Sequence, residues 1–273
     1  MPPVFAPSAF SCNSVANHNM SAHPISAETN VDDWDQHWTQ FAKTSEVGPT
    51  PRYRRRLISS LFDFVPPGDS VRFLEIGSGT GEFAEDFCTL YPKASYLGLE
   101  KSRVGVDISA ERVRQARFLQ RDLLAPQSQD FQPYNATHAL CSEVLEHVAD
   151  PSLLLRNASA YCQTGCRLIV TVPGGPMNAL YKRIGHVRHY SPEDLRQLLK
   201  NSGFEVEVAA GAGFPFYDLF RIMLSARGPQ LVSDVSGPPS ATIRVLSRIF
   251  DLLFRLNSRN RGWQTLAVAR YLG

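Results

Sequence analysis

Glu75, Gly77, Gly79 and Gly81 stand at alternate positions in FLEIGSGTGEFAEDF, after the apolar run Phe73, Leu74, Ile76 and before Phe83, Ala84 and Phe87 at helical spacing. The stretch reads as a buried strand, a glycine turn and a helix start. Missing β-carbons and free helix N–H groups there let a ligand come close to the backbone. The dinucleotide fingerprint would need a glycine at position 82, which is Glu82. Glu75 inside the strand would also repel a pyrophosphate, so the pattern favours a cationic ligand. A second constellation is SEVLEHV, where Glu143, Glu146 and His147 share one helical face if a helix begins by Glu143. Two carboxylates and an imidazole suit Mg²⁺, Mn²⁺ or Fe²⁺ better than a structural zinc site. His186 and His189, in GHVRHY, are candidate general bases for a hydroxyl or protonated amine.

The elements that must carry these residues alternate along the chain. SYLGLE is a second strand ending at Glu100, with a helix predicted over Ser102 to Arg117. Asp107 in VGVDIS is a rival strand end, but it leaves too little chain before Asp122 for a helix and a strand. ARFLQRDLL, THALCSEV and CRLIVTVPGG are the third to fifth strands, with a helical stretch interrupted at Pro151 between the last two. Ser191, Pro192, Glu193 and Asp194 mark a helix start and Gly203 its end. FEVEVAA and WQTLAVARYL follow as strands. The alternation predicts an α/β fold with a doubly wound, Rossmann-like sheet, ligands binding at the carboxyl ends of the strands.

The 273 residues are enough for one such domain with additions, and 28 basic against 26 acidic residues give no global charge favouring nucleic acid. Five cysteines without a C-x-x-C pair read as reduced intracellular thiols. With no secretory signal and no apolar run of bilayer length, a soluble, cytoplasmic protein is expected. Residues 1–30 are read as a disordered tail, since positions 1 to 27 hold no Asp, Glu, Lys or Arg and little to bury. Residues 31–68 are read as a helical cap with Trp34, His37, Trp38 and Phe41 on one face. Its Arg52, Arg54, Arg55 and Arg56 read as a solvated helix surface.

The motif E-x-G-x-G-x-G after an apolar strand resembles motif I of the class I S-adenosylmethionine-dependent methyltransferases, and the similarity extends over residues 69–210 and the last strand, 263–273. It implies a mostly parallel sheet whose final strand is antiparallel. It also implies that S-adenosylmethionine, whose ammonium and sulfonium are cationic, is held by Glu75, Gly77, Ser78, Gly79, Gly81, Glu100, Asp122, Leu123 and Glu143. Glu100 would take the ribose hydroxyls, Asp122 the adenine amino group, and Leu123 would lie beside the ring. E-x-x-E-H resembles the metal-binding motif of the ubiquinone-pathway O-methyltransferases and of small-RNA 2′-O-methyltransferases. The resemblance would make Glu143, Glu146, His147 and His186 the ligands of a divalent cation. The same motif also occurs in class I methyltransferases without metal, where its residues border the cofactor or orient neighbours; without a metal here, His186 or His189 would lead as the catalytic base, with His147 a further candidate.

The expected reaction is methylation of a small, fairly lipophilic acceptor at a hydroxyl oxygen. RNA 2′-O-methylation and cofactor binding without turnover are the alternatives. Residues 211–262 are an insertion before the last strand, apolar and aromatic in FPFYDLFRIML and amphipathic in ATIRVLSRIFDLLFRLNSR. Three readings stand for it: a lid over the substrate, a homodimer interface, or a helix weakly associated with a membrane surface.

Overall fold

The computed structural model describes residues 33–62, 71–127, 131–227 and 241–273. The predicted N-terminal tail and Cys12 lie outside these residues. Two helices, α1 (Trp34–Val47) and α2 (Pro49–Leu61), come first, followed by β1 (Arg72–Ile76), α3 (Glu82–Leu90), β2 (Ser95–Glu100), α4 (Arg103–Arg112) and β3 (Arg117–Gln120). Then come β4 (Ala136–Ser142), a 3-10 turn (Leu145–His147), α5 (Pro151–Ser159), β5 (Cys162–Pro173), α6 (Ala179–Arg183), α7 (Pro192–Asn201) and β6 (Phe204–Ala212). The chain ends with α8 (Phe216–Arg227), α9 (Ala241–Leu253), a second 3-10 turn (Phe254–Leu256) and β7 (Gln264–Tyr271).

The seven strands lie in the order β3-β2-β1-β4-β5-β7-β6; β1 to β5 pair in parallel, and β7 runs antiparallel to both β5 and β6. Parallel neighbours require crossovers, and helices on both faces of the sheet supply them. Alternation along β1 divides the core: Phe73 packs with Phe83, Phe87 and Tyr96 on one face, while Leu74 and Ile76 join Leu155, Leu195 and Leu199 on the other. Each such side chain removed from water contributes roughly 1.5–3 kcal/mol. The strand order reverses between β1 and β4, which opens a crevice at the carboxyl ends of those strands.

Local signals hold where they are strongest. Ser191 caps α7 in a complete capping box with Asp194, with Pro192 in the first turn. The α4 helix is shorter than predicted, ending at Arg112, because the chain turns at Val113–Ala116 to enter β3. The arginines of α2 are not a solvated face. Arg54 meets Glu143 at 3.2 Å, Arg55 meets Asp86 at 2.9 Å, and Arg56 and Arg52 meet Asp251 of α9 at 3.0 and 3.9 Å. Helix α2 is sandwiched between the sheet and the insertion, so its polar residues face acids from both. Tyr53 and Leu57 of α2 pack with Tyr217, Phe254 and Leu266, which anchors α8 and the end of α9. No helix among the described residues is long and apolar enough to cross a membrane.

Candidate active site

The glycine turn follows β1 as expected. Gly77, Gly79 and Gly81 adopt φ of 72°, 54° and 82°, a region that side chains with a β-carbon rarely enter. The N–H groups of Gly77 and Ser78 both donate to the Leu99 carbonyl, at 2.8 and 3.1 Å, which ties the turn to β2. A β-carbon on Gly77 would lie 2.4 Å from Val144 Cγ2, so this turn and the segment after β4 are in contact. Glu100, at the end of β2, is 6% exposed; its carboxylate accepts from Gly79 N–H at 2.8 Å and from Ser102 N–H at 2.9 Å. Burial raises its pKa and those N–H bonds oppose the rise. The expected choice between acids is thereby resolved geometrically, for Asp107 pairs with Arg103 on the exposed side of α4.

Helix α1 closes over this turn. The Trp38 indole lies against Gly79 and Gly105, and its buried N–H, short of a full hydrogen bond, opposes the rise in the Glu100 pKa. Asp35 accepts from the Ser102 hydroxyl and from Val104 N–H at 3.1 Å, clamping α1 to the start of α4. Trp34 packs edge-on against His147 at 4.9 Å. The Phe41 side chain lies outside the described set.

Glu75 is buried and accepts a hydrogen bond from the Tyr96 hydroxyl, and burial pushes its pKa up to about 8. The charge that it would offer a cationic ligand is weakened accordingly. Because the folded state retains a proton that the unfolded chain releases near 4.5, the stability from this group is full below that pH. It falls as pH rises toward about 8. Glu75→Gln is therefore expected to flatten that decline, gaining on the parent protein by a few kcal/mol between pH 5 and 8 in urea unfolding.

Asp122 sits two residues beyond β3, where it accepts from Leu124 N–H at 2.9 Å and pairs with Lys101 at 3.4 Å. Leu123 packs against the core, and both border a groove of about 290 Å³ shared with Arg156 and Tyr161.

The segment after β4 differs from prediction. Glu143 is not in a helix: it has φ of 57°, and only Leu145–His147 form a 3-10 turn. Its carboxylate leaves the histidines and binds Arg54 at 3.2 Å and Gln264 Nε2 at 2.9 Å, and Tyr217 donates to the same Gln264 at 2.7 Å. Among the described residues the ligand atoms that converge are those of Glu146, His147 and His186, all within 4.8 Å of one another. The four-residue set expected from the motif is thus reduced to three. Glu146 is fully buried and neither carboxylate oxygen has a hydrogen-bond partner; burial, then the Glu143 charge, drives its pKa well up.

The proton positions of the histidines follow from their partners. The Gly175 carbonyl can only accept, so His189 Nδ1, 3.0 Å away, carries a proton; His189 Nε2 then accepts from His186 Nδ1 at 3.2 Å. His186 Nε2 is left with a lone pair. The Gly185 carbonyl likewise takes the His147 Nδ1 proton at 3.2 Å, leaving His147 Nε2 with a lone pair 3.9 Å from Glu146. Burial lowers the His147 pKa to about 4 and the His186 pKa to about 2, so both are neutral at pH 7. Tyr181 stacks on His186 at 5.3 Å, and beside it lies a cavity of about 110 Å³ lined by Pro176, Ile222 and Trp263 and by the polar Asn178, Arg221 and Ser225.

A family profile described as "Methyltransferase domain" matches residues 51–208. The chain belongs to the methyltransferase-domain family. It is a class I S-adenosylmethionine-dependent methyltransferase. No curated protein matches the sequence significantly. Among solved structures, the [4+2]-cyclase SpnF is 18% identical over 87% of this chain and 95% of its own, with a TM-score of 0.59. A putative sarcosine dimethylglycine methyltransferase from Galdieria sulphuraria is 13% identical over 88% of this chain and 98% of its own (TM-score 0.57). Geranyl diphosphate C-methyltransferase from Streptomyces coelicolor A3(2) is 14% identical over 80% of each chain (TM-score 0.53). At these identities the likeness shows the shared fold, and the chemistry printed for these neighbours differs from one to the next.

The methyltransferase's turn keeps the features that its cofactor calls for. Its three glycines let Val144, Trp38 and Ser109 pack directly on the backbone, and Glu100 presents a buried carboxylate beside them. Three participants escape sequence reasoning. Arg54 is one of four arginines in five positions, Gln264 lies in the last strand, and Tyr217 belongs to the insertion; nothing in their spacing points to Glu143. For Trp38 the helical stripe was a usable signal.

Proposed function

We propose that this methyltransferase carries the methyl group to a hydroxyl oxygen of a small, fairly lipophilic acceptor, beside a divalent cation held by Glu146, His147 and His186. The supporting observation is that a ring nitrogen of each of His147 and His186 lies within 4.8 Å of a buried carboxylate that has no hydrogen-bond partner. Histidines with pKa near 4 and 2 are poor bases at neutral pH but good ligands, since no proton competes for the lone pair. An unpaired buried carboxylate is costly unless protonated, and a cation would balance it. His189 orients His186 through its hydrogen bond, as an outer partner does for a metal-bound histidine. When bound, the ion would lower the pKa of an acceptor hydroxyl, and the cofactor would supply an electrophilic methyl.

The chain's own part is positioning. Glu100 seats the ribose, Asp122 the adenine, and the Tyr181–Trp263 cavity the apolar body of the acceptor, so that oxygen and methyl meet in line. Lipophilicity is supported by Pro176, Ile222 and Trp263 in that cavity, with Asn178, Arg221 and Ser225 as its polar part. Labelled methyl transfer to phenol and catechol pools is expected to fall at least ~100-fold after EDTA and to return with Mg²⁺, Mn²⁺ or Fe²⁺. Independently of turnover, Co²⁺ should give a visible absorption at one equivalent that is absent in His147→Ala. Full activity after EDTA, with no Co²⁺ signal, would remove the cation from the reading. Label entering RNA instead of phenols would move the acceptor to a ribose 2′-hydroxyl.

A further inference from the structure

The insertion's two helices divide their apolar residues between two faces. Phe220, Phe250 and Phe254 turn inward and stack on one another. The exposed apolar side chains are Leu219, Ile222 and Met223 on α8, and Val245, Leu246, Ile249 and Leu252 on α9 with Leu256 after it; exposures run from 47 to 69%. On α9 the residues Val245, Ile249 and Leu252 recur at helical spacing in one stripe, and Arg248 falls beside it. This outward stripe differs from a lid, whose apolar residues would face a bound substrate.

Charge is sorted as sharply. The insertion has two acids in its described part, and both point inward. Asp218 accepts from Trp263 N–H at 2.8 Å, and Asp251 is taken by Arg56 and Arg52 of α2. The exposed charged residues of the described insertion are Arg248, Arg255, Arg259 and Arg261, all positive. A two-fold contact between copies would set this cationic patch against itself. A surface of opposite charge with an apolar interior matches both features. Arginine stems lie along apolar surface while their heads reach anionic groups.

We propose that this face docks on a bilayer containing anionic phospholipids, with α9 lying in the interfacial plane. Ile222 of α8 is half-exposed and also lines the 110 Å³ cavity beside Tyr181, so docking of the insertion would bring a lipid-dissolved molecule to the site. That last step rests on the lipophilic-acceptor reading above; the docking does not.

The test is co-sedimentation of the full chain with vesicles of phosphatidylcholine alone or mixed with phosphatidylglycerol. Binding is expected with the mixed vesicles, weak or absent with phosphatidylcholine, and largely lost at about 0.5 M salt. Arg248→Glu with Arg255→Glu should lower partitioning at least ~tenfold, as should Leu252→Asp with Leu256→Asp. In both pairs, S-adenosylhomocysteine binding and melting temperature should stay near those of the parent, which separates docking from the cofactor and acceptor assignments. Equal binding to both vesicle types, or none to either, would overturn the proposal. So would a concentration-dependent dimer that the Leu252→Asp pair dissociates, which would give the face to a second copy.

Discussion

Alanine at Glu100 is expected to lower affinity for S-adenosylhomocysteine by at least ~100-fold, measured by calorimetry. The carboxylate has lone pairs beyond those taken by Gly79 and Ser102, and two ribose hydroxyls would occupy them. Hydrogen bonds to a charged acceptor are worth roughly 1.5–3 kcal/mol each, so losing two spans about two to four orders of magnitude in affinity. The same change leaves the Gly79 and Ser102 N–H groups without their acceptor in a buried place, at about 1–3 kcal/mol each. Melting should therefore be followed alongside binding. Glu100→Gln separates the effects, because its amide oxygen keeps one acceptor while its NH₂ faces the other donor. Its binding should be intermediate and its loss of stability smaller than that of the alanine variant. A folded Glu100→Ala protein that still binds within threefold of the parent would place the ribose seat elsewhere.

Alanine at Gly77 should destabilise the protein by about 2–4 kcal/mol and impair methyl transfer together. Part of the cost is backbone, since φ of 72° at an L-residue with a β-carbon is worth roughly 1–2 kcal/mol. The rest is overpacking, because the new β-carbon would stand 2.4 Å from Val144 Cγ2. A melting temperature lowered by about 5–10 °C is expected. Val144 immediately precedes the turn carrying Glu146 and His147, so its displacement reaches the histidines as well. Gly165→Ala is the control: φ is 82° there too, but nothing lies within 4 Å of the added atom. Only the backbone cost applies, and activity should be unchanged. Adding Val144→Ala to Gly77→Ala should restore part of the loss, a non-additivity that assigns it to this contact. If Gly77→Ala melts like Gly165→Ala, the close approach has little effect.

Much of the fold was legible from periodicity and caps. The strand ending at Glu100, the capped helix from Pro192 and the antiparallel last strand all lie where residue patterns or the family resemblance put them. In SEVLEHV the helical spacing does not run through Glu143. No propensity signals that the chain takes a left-handed step there, since tertiary contacts with Arg54, Gln264 and Thr171 hold it. The arginines of α2 escape local spacing for a related reason, their acids being distant in sequence.

By itself, the order of residues determined the sheet, the glycine turn and the kind of cofactor, because these depend on hydrophobic period, on which positions lack a β-carbon and on the acid that ends β2. Only the tertiary structure decided which charges meet. It sent Glu143 to Arg54, placed Glu75 against the Tyr96 hydroxyl, brought Glu146, His147 and His186 together, and turned the apolar stripe of α9 outward. Pairing and burial are set by neighbours brought together across long stretches of chain, and local spacing carries no record of them.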